Sequence, residues 1–277
     1  MALFDYAEET LGRARRIAQE IILFWVNFDI LFEFRVFDRT PKGQGRSLMS
    51  TQDADIFDDM RHRLITGEFG YGTKLRAEKL RSDYNCSAST VREVLFRLST
   101  VGLVDFQEQR GFRSPYQSRE RQHDLTHMRI MLESEGACLS IRLGGVEWES
   151  RLSAAHHKLS HIEMRVRSSG DVSPLLNLWS RAEQEFHETL IEACGSALLI
   201  RTHLVIYEQF RQQLVSAETN YGYFAENIPE HQAILDAALD RNEELVRKRI
   251  HDHLARNLTH PLPGRHQAVA FGKSSLM

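Results

Sequence analysis

Apolar residues recur every three or four positions through most of the chain after Asp55, which is the spacing of amphipathic helices. The first stripe ends before Gly67 and consists of Ile56, Met60, Leu64 and Ile65. A turn at residues 70–72 then precedes a second, short helix, on which Leu75 and Leu80 face inward. The pattern therefore predicts two helices before residue 82.

A third helix is predicted from Ser87, which is a good N-cap residue, to a C′ glycine at Gly102. Cys86 and Val91 flank its first turn as a modest hydrophobic staple. Its apolar face consists of Val91, Val94, Leu95 and Leu98. The segments LVDFQ and FRSP, on either side of EQR and Gly111, predict two short strands around a tight turn. Three helices followed by a β-hairpin form a winged helix-turn-helix.

After Pro115 the helical pattern continues to about residue 258, with breaks at residues 144–145, 168–171, 195 and 227–229. These breaks define about six helices of the length found in compact bundles. The predicted fold class is therefore mainly α. A winged helix-turn-helix domain spans residues 51–117, an all-helical bundle spans residues 121–258, and residues 259–277 form a tail.

The first 50 residues form an N-terminal extension of uncertain role. The segment IILFWVNFDILFEFRVF is very apolar, but Asn27, Asp29, Glu33 and Arg35 interrupt it, which disfavours a membrane-spanning helix. No small-residue cleavage site follows it, so a signal peptide fits no better. The extension either packs on the body or a partner, or precedes a true start at Met49. We favour the second interpretation and expect residues 1–48 to be dispensable.

Charge is unevenly distributed although the net charge is only −3. Residues 61–120 carry 11 Lys/Arg against 7 Asp/Glu, whereas residues 121–260 carry 15 against 20. A basic module joined to an acidic one favours a polyanion-binding domain attached to a domain with another task. The three cysteines are widely spaced, which indicates reduced thiols in a cytoplasmic protein.

The third helix begins with small polar residues that can face base edges in a DNA major groove. Basic side chains surround it and suit phosphate binding. The candidate DNA-binding residues are Arg76, Lys79, Ser87, Ala88, Ser89, Thr90, Arg92, Arg97, Arg110 and Gly111. The alternative is a small α/β domain without a nucleic-acid role.

This region resembles the DNA-binding domain of GntR-type transcription regulators. The resemblance is carried by VREVL at residues 91–95, GLV at residues 102–104 and RGF at residues 110–112. Many members have a guanine-reading arginine directly after the serine cap, where this chain has Ala88. The base preference of the family therefore does not transfer to this chain.

The helical region resembles the FCD-type effector domain of the FadR branch of that family. The motifs are RIMLE at residues 129–133, EFHETLIEACGS at residues 185–196, PEHQAILDAAL at residues 229–239 and HDHL at residues 251–254. The resemblance implies a divalent metal ion inside the bundle, with zinc, nickel, manganese or iron as candidates. Its implied ligands are Glu183, His187, His231 and His253.

Glu183 and His187 are four residues apart beside a buried stripe, so both can point at one ion. Glu183 stands where the family usually has aspartate, which can shift or weaken the site. The alternative is a set of hydrogen-bonded bundle residues that binds no metal. The resemblance also implies that Arg129 binds an effector carboxylate, although a salt bridge to Glu133 at i+4 is the alternative.

Two other histidine pairs have the same four-residue spacing, His123 with His127 and His157 with His161. Both pairs lie among charged residues, and no second helix offers partners, so we expect solvated faces. His251 is likewise expected at the surface.

Together these features predict a ligand-responsive transcription regulator, a homodimeric repressor that binds double-stranded operator DNA and a small carboxylate, with no membrane association. The alternative function is a metal-dependent hydrolase or lyase that uses the three histidines with Glu183 as general base. The absence of an H-E-x-x-H motif and the presence of a basic winged module disfavour the enzyme.

Overall fold

A computed structural model describes residues 51–215 and 223–258. The N-terminal extension and the tail after residue 258 lie outside the described residues, so the expectations about Met49 and residues 1–48 stay predictions.

The N-terminal unit combines three helices with a small antiparallel sheet. Its elements are α1 (Thr51–Ile65), β1 (Lys74–Leu75), α2 (Ala77–Leu80), α3 (Ala88–Thr100), β2 (Asp105–Gln107) and β3 (Gly111–Arg113). The strand order is β1-β3-β2, and Phe112 in the central strand pairs with Leu75 on one side and Phe106 on the other. This arrangement is the predicted winged helix-turn-helix with one additional strand.

The prediction that Leu75 lies in a helix is wrong. Leu75 belongs to β1 and pairs with Phe112, whereas α2 begins only at Ala77. Both Leu75 and Leu80 are buried, as predicted. The backbone of residues 74–75 is satisfied by pairing with a wing strand almost forty residues away, and local apolar spacing carries no signal for such a partner.

The core of this unit contains the predicted stripes of α1 and α3. Helix α3 begins as predicted, because the Ser87 hydroxyl accepts a hydrogen bond from the Thr90 backbone N–H at 3.0 Å. It ends before Gly102, whose φ of +73° is in the left-handed region that glycine adopts without strain. The predicted boundaries of this helix are confirmed.

Six α-helices and one short 3₁₀ segment follow in the described part of the chain. They are α4 (Arg119–Leu143), α5 (Val146–Ser169), the 3₁₀ segment (Ser173–Leu175), α6 (Leu176–Ile191), α7 (Ala197–Leu214), α8 (Asn227–Leu239) and α9 (Glu243–Ala255). Side-chain caps at Ser118, Ser196 and Asn242 begin α4, α7 and α9. The expectation of about six bundle helices is confirmed.

Helix α4 packs mainly against α7 and α9, and α5 packs against α6 and α8. The apolar core between them is separate from the core of the N-terminal unit. It includes the predicted stripe of Phe186, Leu190 and Ile191, all 0% exposed. None of the helices in the described ranges is long and apolar enough to span a membrane.

Candidate DNA-binding surface and metal centre

A basic groove lies between α2, α3 and the wing strands of the N-terminal unit. It is open to solvent, has a volume of about 780 Å³, and is lined by Arg76, Lys79, Arg92 and Arg110 among others. Arg76 is the N-cap of α2, Lys79 lies in α2, Arg92 lies in α3, and Arg110 lies in the turn between β2 and β3. All four side chains are exposed. The fold therefore gathers four of the predicted DNA-binding cations on one face.

The other predicted DNA-binding residues occupy different environments. Ser87 and Thr90 form the cap of α3, and their hydroxyl oxygens lie 3.0 Å apart. Ala88 is half-buried at the first turn, and Ser89 is exposed beside it. Arg97 lies outside the groove, where its guanidinium is 5.1 Å from the centre of the Phe57 ring. Gly111 lines the groove at the wing, with a φ of +78°.

The helical bundle brings three of the predicted metal ligands into one buried cluster. His187 comes from α6, His231 from α8 and His253 from α9, and each offers one ring nitrogen within 4.8 Å of the other two. The exposed fraction is 0% for His187 and His231 and 4% for His253. In the part of the chain that the structure describes, no other group of three or more potential ligands meets this distance limit.

Each imidazole of this cluster has a carboxylate beside its Nδ1 atom. Glu133 Oε2 lies 2.9 Å from His187 Nδ1, Glu163 Oε1 lies 3.1 Å from His231 Nδ1, and Glu230 Oε2 lies 2.9 Å from His253 Nδ1. At His187 and His231 the approach departs from a linear hydrogen bond, so these contacts are chiefly electrostatic.

This arrangement leaves Nε2 as the nitrogen available for a ligand. The Nε2 atoms of His187 and His231 are buried and have no hydrogen-bond partner. A carboxylate on Nδ1 with a free Nε2 is the usual arrangement around a metal-binding histidine.

Glu183 borders the cluster but interacts mainly with other residues. Its Oε1 lies 4.0 Å from His187 Nε2, and its Oε2 accepts a hydrogen bond from the Tyr207 hydroxyl at 2.9 Å. Arg211 Nε is 3.6 Å from Oε2, and Arg129 Nη1 is 3.9 Å from Oε1. Burial alone would raise the pKa of Glu183, but the two guanidinium groups outweigh it and lower that pKa. Glu183 is therefore an ionised carboxylate shared between the histidines and two arginines.

Arg129 makes the salt bridge that the sequence left as an alternative. Its Nε donates to Glu133 Oε1 at 2.5 Å, and both side chains are buried. The guanidinium also lies 4.6 Å from the centre of the Tyr207 ring and 4.7 Å from that of Phe210. Its Nη2 atom is buried without a hydrogen-bond partner, so one strong donor remains next to the site.

Burial controls the protonation of the site. It lowers the pKa of His187 to about 4 and that of His253 well below its usual range, because a charged imidazole loses its hydration there. The pKa of Glu133 is well below its usual range, since Arg129 and His187 outweigh the opposite effect of burial. At neutral pH His187 and His253 are therefore neutral imidazoles, and Glu133 and Glu183 are ionised carboxylates.

Sequence reasoning missed several residues of the site. It treated Glu133 only as a partner of Arg129, and it did not identify Glu163, Glu230, Tyr207 or Arg211. Glu163 had a usable signal, because it is an acid on the buried stripe of α5. Glu230 directly precedes His231, but nothing local shows that it faces His253.

Helix α7 connects this site with the DNA-binding domain. The stripe of His203, Tyr207 and Arg211 faces the site, where His203 Nε2 lies 2.9 Å from Glu133 Oε1. Glu208, one residue away, pairs with Arg61 of α1. Glu208 begins a second stripe of α7, which three glutamines continue. These glutamines donate to backbone carbonyls of the N-terminal unit and of the segment that follows it, in the pairs Gln209–Val101, Gln212–Leu103 and Gln213–Tyr116.

The remaining paired histidines lie on exposed faces, as predicted, with the exception of His123. His157 and His161 are exposed, and their rings stack with centres 6.5 Å apart. His127 and His251 are exposed as well, whereas His123 is half-buried. Neither pair belongs to the cluster of three potential ligands.

A winged helix-turn-helix with a basic groove, joined to a helical bundle around a buried polar site, defines a ligand-responsive transcription regulator. Residues 52–113 match the model of "Bacterial regulatory proteins, gntR family", and residues 124–256 match that of the FCD domain. The chain belongs to the gntR family and carries an FCD effector domain. Regulators of this family bind operator DNA through the first domain and small-molecule effectors through the second.

Curated relatives agree with this assignment. The chain is 35% identical over 221 residues to the HTH-type transcriptional regulator BphR of Paraburkholderia xenovorans, covering 79% of this chain and 87% of the relative. It is 27% identical over 234 residues to the HTH-type transcriptional repressor GlaR of Escherichia coli, covering 80% and 99%. Since family and relatives are transcriptional regulators, the alternative of a metal-dependent hydrolase or lyase is not supported.

Solved structures share the fold. McbR/YncC of E. coli superposes with a TM-score of 0.61 at 18% identity, covering 76% of this chain and 96% of that structure. A GntR transcriptional regulator from Rhodococcus sp. RHA1 gives 0.62 at 19% identity, covering 76% and 98%.

Proposed function

We propose that this regulator is a cytoplasmic, homodimeric repressor that senses a small carboxylate at a divalent-metal site in its helical domain. The buried cluster of His187, His231 and His253 carries this proposal. Buried polar atoms without a partner are costly, and two of the cluster's Nε2 atoms have none. Three imidazoles with a neighbouring carboxylate suit zinc, nickel, manganese or iron.

Glu183 is proposed as the fourth ligand, because its Oε1 lies 4.0 Å from the free Nε2 of His187. Two ligands of one ion are commonly about 3–4 Å apart, given metal–ligand distances of about 2.0–2.2 Å. Tyr207 and the two arginines hold this carboxylate in place, while Glu133, Glu163 and Glu230 orient the rings.

The charge of the site favours an anionic effector. A bound dication would supply two positive charges and open coordination positions. Two guanidinium groups, from Arg129 and Arg211, add to it, and three buried carboxylates, from Glu133, Glu163 and Glu183, oppose it. Glu230 is compensated by Arg256. The remaining positive charge and the free Nη2 of Arg129 suit a carboxylate.

DNA binding is proposed to use the residues named from the sequence, with Arg76, Lys79, Arg92 and Arg110 of the basic groove as the main phosphate and base contacts. A dimer would present two α3 helices to successive major grooves about 34 Å apart. The relative GlaR is an HTH-type transcriptional repressor, which supports repression as the direction of control.

Effector binding is proposed to reach the DNA-binding domain through α7. Tyr207 and Arg211 contact Glu183 at the site, and Glu208 and the three glutamines of the same helix contact the N-terminal unit. A ligand that displaces Glu183 or its arginines would move α7 and hence the DNA-binding domain.

The test combines metal analysis with a gel shift on the DNA upstream of the gene. We expect one divalent ion per subunit in the wild type and a large loss in His231→Ala. We expect short carboxylates, titrated from acetate to adipate, to release the DNA from the wild type only. Wild-type protein without metal, whose carboxylate response survives chelation, would refute the metal part of the proposal.

A further inference from the structure

We propose that Glu78 is a specificity-determining residue, which orients Arg92 towards base edges and disfavours its use on phosphates. The inference rests on the proposed DNA-binding role of the basic groove. Arg92 Nη2 donates to Glu78 Oε1 at 3.0 Å, and this bond joins α3 to α2 within the basic groove.

Glu78 stands out by its charge. Among the described residues that line the basic groove, it alone is acidic, and its neighbours there include Lys74, Arg76, Lys79, Arg92 and Arg110. A groove selected only for attraction to DNA would not place a carboxylate among five cations, because that carboxylate repels phosphate.

Stability does not account for the pair. The Arg92 and Glu78 side chains are 61% and 64% exposed, and ion pairs so open to water contribute little to folding. The pair is therefore better explained by what it does to the orientation of Arg92 than by what it does for the fold.

The geometry of the guanidinium explains the proposed selectivity. Arginine has five N–H donors in a planar fork, and Glu78 engages only Nη2. The remaining donors can reach the neutral O6 and N7 acceptors of guanine while the pair stays intact. A phosphate taken by Arg92 would instead lie close to the Glu78 carboxylate, so that contact is penalised.

The experiment compares full-length wild type, Glu78→Gln, and Glu93→Gln as a control. Glu93 is an exposed acid on the same helix-turn-helix and does not line the groove. Two probes are used: a duplex selected by the wild type from a random-sequence pool, and a shuffled duplex of the same composition. Affinities are measured by fluorescence anisotropy over a range of salt concentrations.

Glu78→Gln should bind the shuffled duplex about twofold to fivefold more tightly, which is the range of an exposed charge contact. Its slope of log K against log salt on that duplex should steepen by about 0.9, as expected for one additional phosphate contact. Affinity for the selected duplex should not rise in proportion, so the ratio between the two duplexes falls.

In an Arg92→Ala background, Glu78→Gln should no longer change that ratio, because the effect acts through Arg92. Equal ratios and equal salt slopes for Glu78→Gln and Glu93→Gln would overturn the inference, as would a full effect that persists without Arg92. A wild type that binds neither duplex would instead count against the DNA-binding role of the groove.

Discussion

His187 shows at the scale of one residue how burial prepares the helical domain for a ligand. Its pKa is lowered to about 4, first because burial removes hydration from the charged ring, and Arg129 acts in the same direction. The Nε2 electron pair is therefore free throughout the neutral pH range. A surface histidine would be partly protonated near pH 6.5 and would compete less well for a metal.

We predict that metal-free protein loses stability as the pH falls from about 6.5 to about 4. In this window the unfolded chain binds a proton at His187 and the folded chain does not, so protons favour unfolding. The loss from this residue should be on the order of 3 kcal/mol. Urea denaturation of chelator-treated protein at several pH values measures it. A His187→Asn variant with the same pH dependence as the wild type would contradict the assignment.

Substitution of Glu163 tests whether the carboxylates beside the imidazole rings orient them for metal binding. In Glu163→Gln the oxygen 3.1 Å from His231 Nδ1 becomes part of a neutral amide, so the ring is oriented less firmly. We predict that metal affinity falls about 10- to 100-fold with little change in fold. Competition with a fluorescent chelator gives the affinity. The control is Glu185→Gln, which changes an exposed acid of α6, and unchanged affinity in both variants would contradict the role of Glu163.

Substitution of Arg92 tests whether this residue contacts bases. We predict that Arg92→Ala weakens binding to a selected duplex by about 1–3 kcal/mol, because a bidentate base contact contributes that much discrimination. Arg81→Ala removes an exposed cation outside the groove and should weaken binding less. Equal affinities of Arg92→Ala and wild type in gel shifts would remove Arg92 from the base-reading set.

Helix α7 is the element that joins the two halves of the molecule. Its stripe of His203, Tyr207 and Arg211 faces the polar site, and its neighbouring stripe, which begins at Glu208, faces the DNA-binding domain. Because a helix turns about 100° per residue, two adjacent stripes can serve two different partners on one rigid rod.

We predict that Glu208→Gln lowers the free energy of unfolding by about 1–3 kcal/mol and weakens the response of DNA binding to effector. The loss should be smaller than the roughly 3–5 kcal/mol expected when a buried charge loses every partner. Arg61 keeps one partner, because Asp58 lies 3.1 Å away. Glu135→Gln breaks an exposed pair with Arg247 and should change both quantities little. Chemical denaturation and gel shifts with effector measure the two effects.

Local periodicity predicted nearly all of these elements. The caps of α3 and the apolar stripes of α1, α3 and α6 depend on neighbours in sequence, so their boundaries were readable. Strand β1 was not, because Leu75 pairs with Phe112 far along the chain.

The site likewise has a part that the sequence predicts and a part that it does not. Glu183 and His187 share one face of α6 through helical geometry alone, whereas the contacts of Glu163 with His231 and of Glu230 with His253 depend on how α5, α8 and α9 pack.

At the scale of the whole molecule, the proposed metal site would tie α6, α8 and α9 together. We predict that zinc at a hundred times its Kd raises the free energy of unfolding by about 2.7 kcal/mol, since the folded state alone has the assembled site. Thermal melts with chelator and with zinc measure the shift. His253→Ala should remove the zinc dependence, and a wild type that melts alike under both conditions would refute the prediction.

The glutamine contacts of α7 have a consequence for the history and engineering of such regulators. Gln209, Gln212 and Gln213 donate to main-chain carbonyl oxygens. Every amino acid presents such an oxygen, whatever its side chain. A DNA-binding domain with a different surface sequence, and hence a different operator, would still offer those oxygens. Arg61 is one side chain that a transplanted DNA-binding domain would need to keep, because it pairs with Glu208. Chimeras that exchange residues 51–117 between relatives should therefore recombine target and signal with few compensating changes.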